Sequence, residues 1–432
     1  MSRKISILGT WHQGSVAAAC FAEYGYIVYG IDENKENVEA LKKGKAPLFE
    51  PELNALLEKG IKNKKLFFSN NKTKVKETKE VCIMFDTPVD EHDKSDLAPL
   101  WKTIKEITPH LQKDTLIWVT AQVPVGTCEM IKEKIDKRNP KIKVKVAYTP
   151  ENLRLGQAIQ LFQHPVLPVI GANDKETFER TKEFLLVITK DWEHVSLRTG
   201  EMVKHGLNAF LGMSIAFGNE LGNICDEVHV DGKRVAEVLR KEPRIGSKAM
   251  LFPGLGFSGG TIARDIQTLR GIAITKKLGT PLLDGIWTAN EKQNKIIVRK
   301  LKQHYASLSG KKIAVLGLTY KPETSTLRRS AALEVISMLK KEGAIIQAHD
   351  PKADRKEVKK YKQFTFFEDV YAALKGADAC VVITPWKEYK NIDFKKMKKS
   401  MNEAFFIDPN NMFEKKEVEE KGFMYTGIGR GN

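Results

Sequence analysis

The sequence predicts an α/β protein with two Rossmann-like parallel-sheet domains joined by a long central helix. At the amino terminus, and again after residue 311, short apolar runs alternate with helix-like stretches, which is typical of parallel sheets covered by helices. Between these two regions, a stretch without proline carries apolar residues at helical spacing. We therefore expect three domains, at residues 1–198, 199–300 and 301–432.

The first domain opens with the pattern of a dinucleotide-binding βαβ unit. The apolar run Lys4–Leu8 ends at Gly9, a helix-like segment covers Ser15–Tyr24, and a second apolar run, Ile27–Ile31, ends at Asp32. An acid at the end of the second strand can accept hydrogen bonds from ribose hydroxyls and would repel a 2′-phosphate. The pattern therefore predicts NAD rather than NADP. Later strands are expected at Val81–Phe85, Thr115–Val119 and Val144–Tyr148.

The middle and the end of the chain contain a long helix, a glycine-rich loop and a second sheet. The helix is expected within Gly200–Val228, and the loop Pro253–Gly260 has four glycines in eight residues. Glycines permit positive φ and a close approach of the backbone to a ligand such as a diphosphate or a sugar. The second sheet is predicted from the strand-like segments Lys312–Leu318, Ile345–His349, Val381–Thr384 and Phe405–Asp408 and the helix-like segment Ala331–Lys341.

Composition excludes several classes of protein. The apolar runs are too short to cross a bilayer, and no secretion signal is recognisable, so we expect a cytoplasmic protein that does not bind membranes. The net charge of +17 is spread along the chain rather than gathered in an arm, so we expect no nucleic-acid partner. The five cysteines are scattered without a CxxC pair, which predicts reduced, buried thiols and no metal site.

Nine segments, in order along almost the whole chain, resemble the UDP-glucose/GDP-mannose dehydrogenase family. They are Gly44–Leu53 (GKAPLFEPEL), Val123–Thr127 (VPVGT), Pro150–Gly156 (PENLRLG), Met202–Glu220 (MVKHGLNAFLGMSIAFGNE), Arg244–Gly246 (RIG), Pro253–Asp265 (PGLGFSGGTIARD), Ile313–Ser330 (IAVLGLTYKPETSTLRRS), His349–Pro351 and Gly427–Arg430. The resemblance implies an NAD-binding first domain, a helical dimerisation and substrate domain, and a UDP-sugar-binding third domain. It also implies a homodimer, a nucleotide-sugar substrate such as UDP-glucose, and a role in polysaccharide biosynthesis.

The resemblance further implies how the reaction is carried out. Family members oxidise the C6 alcohol of the sugar to a carboxylate in two hydride transfers, and a cysteine holds the intermediate aldehyde and then the thioester. Lys204 and Asn208, one helical turn apart, match the residues that stabilise an oxyanion beside C6. Glu151 matches a glutamate near the sugar, and Asp265 matches an acid that orients water. A helix-start carboxylate remains an equally good interpretation of Asp265.

The remaining matches concern binding. Residues expected to contact the cofactor are Gly9, Gly14, Asp32, Thr87, Gln122, Arg264 and Arg328. Residues expected to contact the sugar nucleotide are Arg244, Phe257, Gly259, Gly260 and Lys321, and Arg244 is expected to reach the substrate of a neighbouring subunit. Guanidinium groups suit phosphate recognition, although each of these arginines could also be a surface cation.

Five positions depart from the family pattern, and at one of them, Arg264, an arginine replaces a lysine and keeps the charge. Thr261 stands at the position of the catalytic cysteine, and its hydroxyl is a far weaker nucleophile than a thiol, so no thioester can form. Trp11 replaces the second glycine of the dinucleotide loop and is expected to crowd it; Gln122 and Leu155 replace two further cofactor contacts. Three interpretations follow: a dehydrogenase that stops after one hydride transfer or uses no covalent intermediate, a redox-neutral conversion such as epimerisation, or a non-catalytic regulator or partner subunit. The retained Lys204, Asn208, Asp265 and Asp32 favour the first, whereas Trp11, Gln122 and Leu155 favour the third. The retained catalytic helix residues make an enzyme our expectation.

Overall fold

The computed structural model describes residues 3–85, 87–90, 95–257 and 260–431. These residues form two compact units, residues 1–207 and 208–432. The division lies inside one helix of 31 residues, Leu197–Glu227. Among the described residues, no helix is long and apolar enough to cross a membrane.

The first unit is built on a sheet of eight strands. Its elements are β1 (Lys4–Leu8), α1 (His12–Glu23), β2 (Ile27–Ile31), α2 (Lys35–Lys42), α3 (Leu53–Lys62), β3 (Leu66–Ser69), β4 (Glu80–Ile83), α4 (Ala98–Ile107), β5 (Leu116–Val119), α5 (Thr127–Arg138), β6 (Lys145–Tyr148), α6 (Ala158–Gln163), β7 (Val169–Gly171), α7 (Lys175–Phe184), β8 (Glu193–Val195) and the start of α8 (Leu197–Glu227). The strand order is β3-β2-β1-β4-β5-β6-β7-β8, and only the β6–β7 pair is antiparallel among the described strands. The first six positions have the strand order of dinucleotide-binding folds.

The second unit continues α8 and contains a sheet of six strands. Its other elements are α9 (Gly232–Leu239), α10 (Gly260–Thr275), α11 (Pro281–Gln293), α12 (Ile296–His304), β9 (Lys312–Leu316), α13 (Ala331–Lys341), β10 (Ile345–His349), α14 (Arg355–Val358), β11 (Thr365–Phe366), α15 (Val370–Leu374), β12 (Ala379–Val382), α16 (Phe394–Ser400), β13 (Phe405–Asp408), α17 (Lys415–Glu420) and β14 (Met424–Gly427). The order is β11-β10-β9-β12-β13-β14, and every described pair is parallel. The predicted fold class is therefore confirmed.

Each sheet separates two apolar cores, as expected for a parallel sheet with helices on both faces. In the first unit, α1 packs closely on the sheet because its buried face is made largely of small residues from Gly14 to Ala22. In both sheets, the strand order reverses beside the first strand of the fold, where β4 follows β1 and β12 follows β9. Such a point leaves a crevice at the carboxyl ends of the strands, where ligands of open α/β sheets bind.

Candidate functional site

The loop after β1 has the backbone geometry of a dinucleotide-binding turn. Gly9 has a φ of +86°, and a Cβ there would lie 2.6 Å from the Cα of Phe85. At Gly14, in α1, a Cβ would lie 1.8 Å from the carbonyl oxygen of Gly9. A side chain at Gly9 would clash with the chain after β4, and one at Gly14 would push α1 away from the loop. The two retained glycines therefore keep the helix amino terminus close to the place where a pyrophosphate would lie.

Asp32, at the carboxyl end of β2, holds this loop in shape. Its Oδ2 accepts hydrogen bonds from the N–H of Thr10 at 2.7 Å and from the hydroxyl of Thr10 at 3.1 Å, with Asn37 Nδ2 at 3.4 Å. Its Oδ1 accepts one hydrogen bond among the described residues, from the N–H of Asn34 at 2.9 Å. Since each carboxylate oxygen offers about two acceptor positions, Oδ1 retains one for a ribose hydroxyl.

The second sheet contains the same kind of loop, but both oxygens of its acid already accept several hydrogen bonds within the protein. Asp350 follows β10 as Asp32 follows β2, and its Oδ2 accepts from Leu318 N–H, Thr319 N–H and the indole of Trp386. Its Oδ1 accepts two further backbone N–H groups, and the residue is fully buried. The two acids therefore differ in what they can do. Asp350 binds groups within the protein, whereas Asp32 is half-buried and can also bind a ligand.

Trp11 lies between the two retained glycines, just before α1. Its φ of −65° lies outside the left-handed region that favours glycine. The indole lies at the surface, 40% exposed. The glycines at both ends of the loop and Asp32 retain a geometry that fits NAD. The predicted crowding by Trp11 would therefore depend on the position of the indole ring when the cofactor binds.

A buried carboxylate that the sequence analysis missed connects this loop to a second one. Glu50 Oε2 lies 2.8 Å from His12 Nε2 and accepts the N–H of Gly156 at 2.9 Å, while Oε1 accepts the N–H of Ala158 at 2.9 Å. Burial alone would raise the pKa of the Glu50 carboxyl, but these hydrogen bonds outweigh burial and hold the pKa below its usual value. Glu50 therefore stays ionised and fixes the PENLRLG segment against α1.

Lys204 is a buried cation on α8 and faces the carboxyl end of β6. The residue is 3% exposed, and its ammonium lies 3.4 Å from Asn152 Oδ1 and 3.7 Å from Glu151 Oε2. Glu151 keeps about a fifth of its side chain exposed and is held by the N–H of Leu153 at 2.6 Å. A buried ammonium beside a carboxylate is an arrangement that can stabilise a developing oxyanion and accept its proton.

Asn208 and Asp265 form a second buried pair, described within the second unit. The amide nitrogen of Asn208 donates a hydrogen bond to Asp265 Oδ2, and the two residues are 4% and 0% exposed. The bond fixes the orientation of the Asn208 amide, so that it presents a defined donor. Asp265 lies in α10, and Thr261 lies in the first turn of the same helix, partly buried. Asp265 is thus more than a solvated helix-start carboxylate.

A further missed residue, Glu201, braces the VPVGT segment from α8. Its fully buried carboxylate accepts the N–H groups of Gly126 and Cys128, at 2.5 and 2.8 Å, at the start of α5. Burial raises the pKa of the Glu201 carboxyl, although the two N–H groups oppose this. His205, one turn later on α8, lies 3.0 Å from the carbonyl oxygen of Val123. These contacts hold the VPVGT segment and the start of α5 against α8.

None of the five cysteines can take over the role of a catalytic thiol. Cys20, Cys82, Cys128, Cys225 and Cys380 are all buried and unbridged. Burial raises the pKa of every one of these thiols, that of Cys20 to about 12. They are therefore protonated near neutral pH, and a thiol is a poor nucleophile compared with a thiolate.

The other predicted contacts are distributed over both units. Thr87 and Gln122 are buried together, and the Thr87 hydroxyl donates to the Gln122 carbonyl at 2.8 Å. Arg264 is buried in α10. Arg328 is exposed and Lys321 is half-buried.

Of the predicted sugar-nucleotide contacts, Phe257 is buried in an apolar cluster with Ile266 and Ile286. Arg244 is highly exposed, and its Nε lies 2.8 Å from Glu242. Gly260 is the first residue of α10, and Gly259 lies outside the described residues. Within the described part of the chain, no cluster of His, Cys, Asp and Glu could hold a metal ion. The individual roles of these residues stay predictions.

Comparison with known proteins identifies the family. The chain is 33% identical over 433 residues to the UDP-glucose 6-dehydrogenase TuaD of Bacillus subtilis, covering 99% of this chain and 93% of that protein. It is also 33% identical to a UDP-glucose 6-dehydrogenase of Rhizobium meliloti, with 99% of each chain covered. The family models for the NAD-binding, central and UDP-binding domains of the UDP-glucose/GDP-mannose dehydrogenase family match residues 3–186, 198–292 and 314–415. The chain belongs to this family.

Solved structures agree with that assignment. A UDP-glucose dehydrogenase from Pyrobaculum islandicum superposes with a TM-score of 0.92 at 27% identity, covering 99% of this chain and 98% of that one. A UDP-D-ManNAc dehydrogenase from Pyrococcus horikoshii has the same fold, with a TM-score of 0.89 at 24% identity and 99% of each chain covered. The predictions of an oxidoreductase of this family, of NAD as cofactor and of NAD-dependent nucleotide-sugar oxidation are confirmed.

Proposed function

We propose that this protein oxidises the C6 alcohol of a UDP-sugar to the aldehyde and stops after one hydride transfer. The observation that carries the proposal is the chemistry around Thr261. A hydroxyl stands where a thiol would be needed for a thioester, and the five buried cysteines have raised pKa values. The residues needed for the first oxidation are nevertheless present.

In this proposal, the first oxidation is carried out by side chains of α8 and the PENLRLG segment. NAD, when bound, supplies the acceptor for the hydride that leaves C6. Glu151 accepts the proton of the C6 hydroxyl, because it is a partly exposed carboxylate held in place by a backbone N–H. The buried ammonium of Lys204 stabilises the alkoxide as the hydride departs. The Asn208 amide, oriented by Asp265, supplies a second donor.

The cofactor is held by the first loop, and the nucleotide of the sugar by the third domain. Gly9, Gly14 and Asp32 provide the close approach at α1 and the acceptor for a ribose hydroxyl. The match of the UDP-binding family domain to residues 314–415 supports a UDP-sugar as the substrate. UDP-glucose is our first choice, since it is the substrate named for both relatives at 33% identity.

The experiment that tests this proposal is identification of the product. The full chain is incubated with NAD and a panel of UDP- and GDP-sugars, and the products are identified by mass after an aldehyde-trapping reagent such as hydroxylamine is added. We expect the oxime of a 6-aldehyde. A 6-carboxylate would contradict the proposed stopping point. Turnover without NADH would indicate a redox-neutral conversion, and binding without turnover would indicate a regulator or partner subunit.

We also propose that the protein is a homodimer that pairs through α8. Three large apolar side chains at seven-residue spacing, Phe210, Phe217 and Ile224, are 60%, 53% and 59% exposed on one side of this helix. An exposed apolar row of this kind is typical of a surface that a partner covers. Light scattering on the full chain should give twice the 48.7 kDa chain mass, and Phe217→Glu should reduce the dimer fraction. A wild-type mass of one chain would refute the dimer.

A further inference from the structure

Between Gly254 and Phe257, side-chain amides hold the backbone of the glycine-rich loop. Asn219 Oδ1 accepts the N–H of Gly254 at 2.8 Å, and Asn219 Nδ2 donates to the carbonyl of Leu255 at 3.1 Å. Gln293 Nε2 donates to the carbonyl of Gly254 at 2.7 Å. Both amides are nearly completely buried, at 3% and 5% exposed. Polar groups of the loop that would otherwise need water or a strand partner are thereby satisfied.

The same pattern continues along the loop. Asn294 Oδ1 accepts the N–H of Gly256 at 3.0 Å, and Asn290 Nδ2 donates to the carbonyl of Phe257 at 3.1 Å. Asn294 is 4% exposed. We call these four residues, Asn219 on α8 and Asn290, Gln293 and Asn294 at the end of α11, the amide clamp. The clamp pairs five backbone groups between Gly254 and Phe257.

The clamp leaves one side of the loop open. Among the described residues, a Cβ added at Gly254 would have a single neighbour within 4 Å, the carbonyl oxygen of Pro409 at 3.6 Å. At Gly256, by contrast, a Cβ would lie 2.7 Å from Asn290 Oδ1, so this glycine is required by the clamp itself. The loop is therefore fixed from the helix side and accessible from the other, which is the arrangement that a preformed ligand-binding loop needs.

We propose that the amide clamp positions the loop for the nucleotide sugar, so that substrate affinity depends on the amide donors. This inference rests on the proposed function and names further positioning residues for it. A clamp needed only for stability could be made from any buried side chains. Four amides around four residues instead specify the path of the backbone. Each amide oxygen can pair only with an N–H, and each amide nitrogen only with a carbonyl.

The test uses isosteric changes that remove one donor each. Gln293→Glu and Asn290→Asp replace a donor facing a loop carbonyl by an acceptor. Asn402→Asp is the matched control: its Nδ2 also donates to a backbone carbonyl, that of Gly376 at 2.9 Å, in the same unit but away from the loop. Affinities of the full chain for UDP-glucose and, separately, for NAD are measured by calorimetry, with the midpoint of thermal unfolding recorded for each sample.

Each clamp variant should weaken UDP-glucose binding by about fivefold or more, because one net hydrogen bond corresponds to about that factor. NAD affinity should stay within a factor of about two, and the control should change neither. Asn290 is less buried than Gln293, so we expect its variant to fold even where Gln293→Glu does not. A lowered midpoint with unchanged UDP-glucose affinity in a folded clamp variant would overturn the inference alone. Absence of nucleotide-sugar binding by the unchanged chain would overturn the proposed function and the inference together.

Discussion

Replacing Lys204 by Met should abolish most of the turnover while leaving substrate binding nearly intact. The ammonium is 3% exposed, so its charge acts in a medium with an effective dielectric constant of about 20. There, an alkoxide about 3 Å away is stabilised by about 5 kcal/mol before desolvation is counted. Loss of one preorganised donor in comparable sites costs about 2.7–4 kcal/mol. We therefore expect kcat to fall by about 10²–10³-fold.

The chain offers a matched control for this variant. Lys300 is 4% exposed, and its ammonium lies 2.9 Å from Asp226 Oδ2, whose other oxygen accepts the N–H of Arg430. Lys300→Met should lower the free energy of unfolding by about 3–5 kcal/mol, because a buried carboxylate loses its cation. The kcat of its folded fraction should not change. Steady-state NADH formation with UDP-glucose and thermal unfolding are measured for both variants. A Lys204→Met enzyme with kcat within about threefold of wild type would refute the assigned role.

Three further variants test other parts of the structure. Glu50→Gln should weaken NAD binding by about fivefold or more, because a neutral amide binds His12 and the N–H groups of Gly156 and Ala158 less strongly than a carboxylate does. An unchanged NAD affinity in a titration would show that the PENLRLG segment keeps its position without Glu50. Burial raises the pKa of Asp408 from 3.8 to about 6, so this acid contributes stability below pH 3.8 that is lost as the pH rises through 6. Between pH 4 and 7, the free energy of unfolding of Asp408→Asn should therefore rise relative to wild type, by up to about 3 kcal/mol. A difference between the two proteins that does not change with pH would contradict this. Thr261→Cys should form a thiohemiacetal with the aldehyde and a carboxylate product, detectable by mass; no adduct and no acid would mean that the pocket differs by more than one side chain.

Much of the fold could be read from hydrophobic patterning. Strand β1 and helix α13 are regular and bounded by glycine or serine, and both have the predicted ends. Strands β3, β7, β8, β11 and β14 were not predicted; β8 and β11, of three and two residues, are too short to give a periodic signal. The sequence predicted parallel sheets covered by helices, but not the order of the strands within them, which depends on contacts between distant segments.

The site was predictable only where a motif marked it. Lys204 and Asn208 lie in a segment that resembles the family. Their partners, Glu151 and Asp265, could not be assigned from their distance along the sequence. Glu50 lies in a segment that the sequence analysis had singled out, yet its contacts with residues about a hundred positions later could not be inferred from one sequence. The amide clamp is a stronger example. Its amides lie on two helices and bind one loop only when the helices pack together, and a periodic sequence pattern does not reveal such contacts.

The most direct test of the account is the number of NADH molecules formed per UDP-sugar consumed. It is measured by absorbance and by mass on the same samples, for the unchanged chain and for Thr261→Cys. We predict a ratio of one for the unchanged chain and a rise toward two when the thiol is present. A ratio of two with the native Thr261 would contradict it, because full oxidation would then proceed without a thioester.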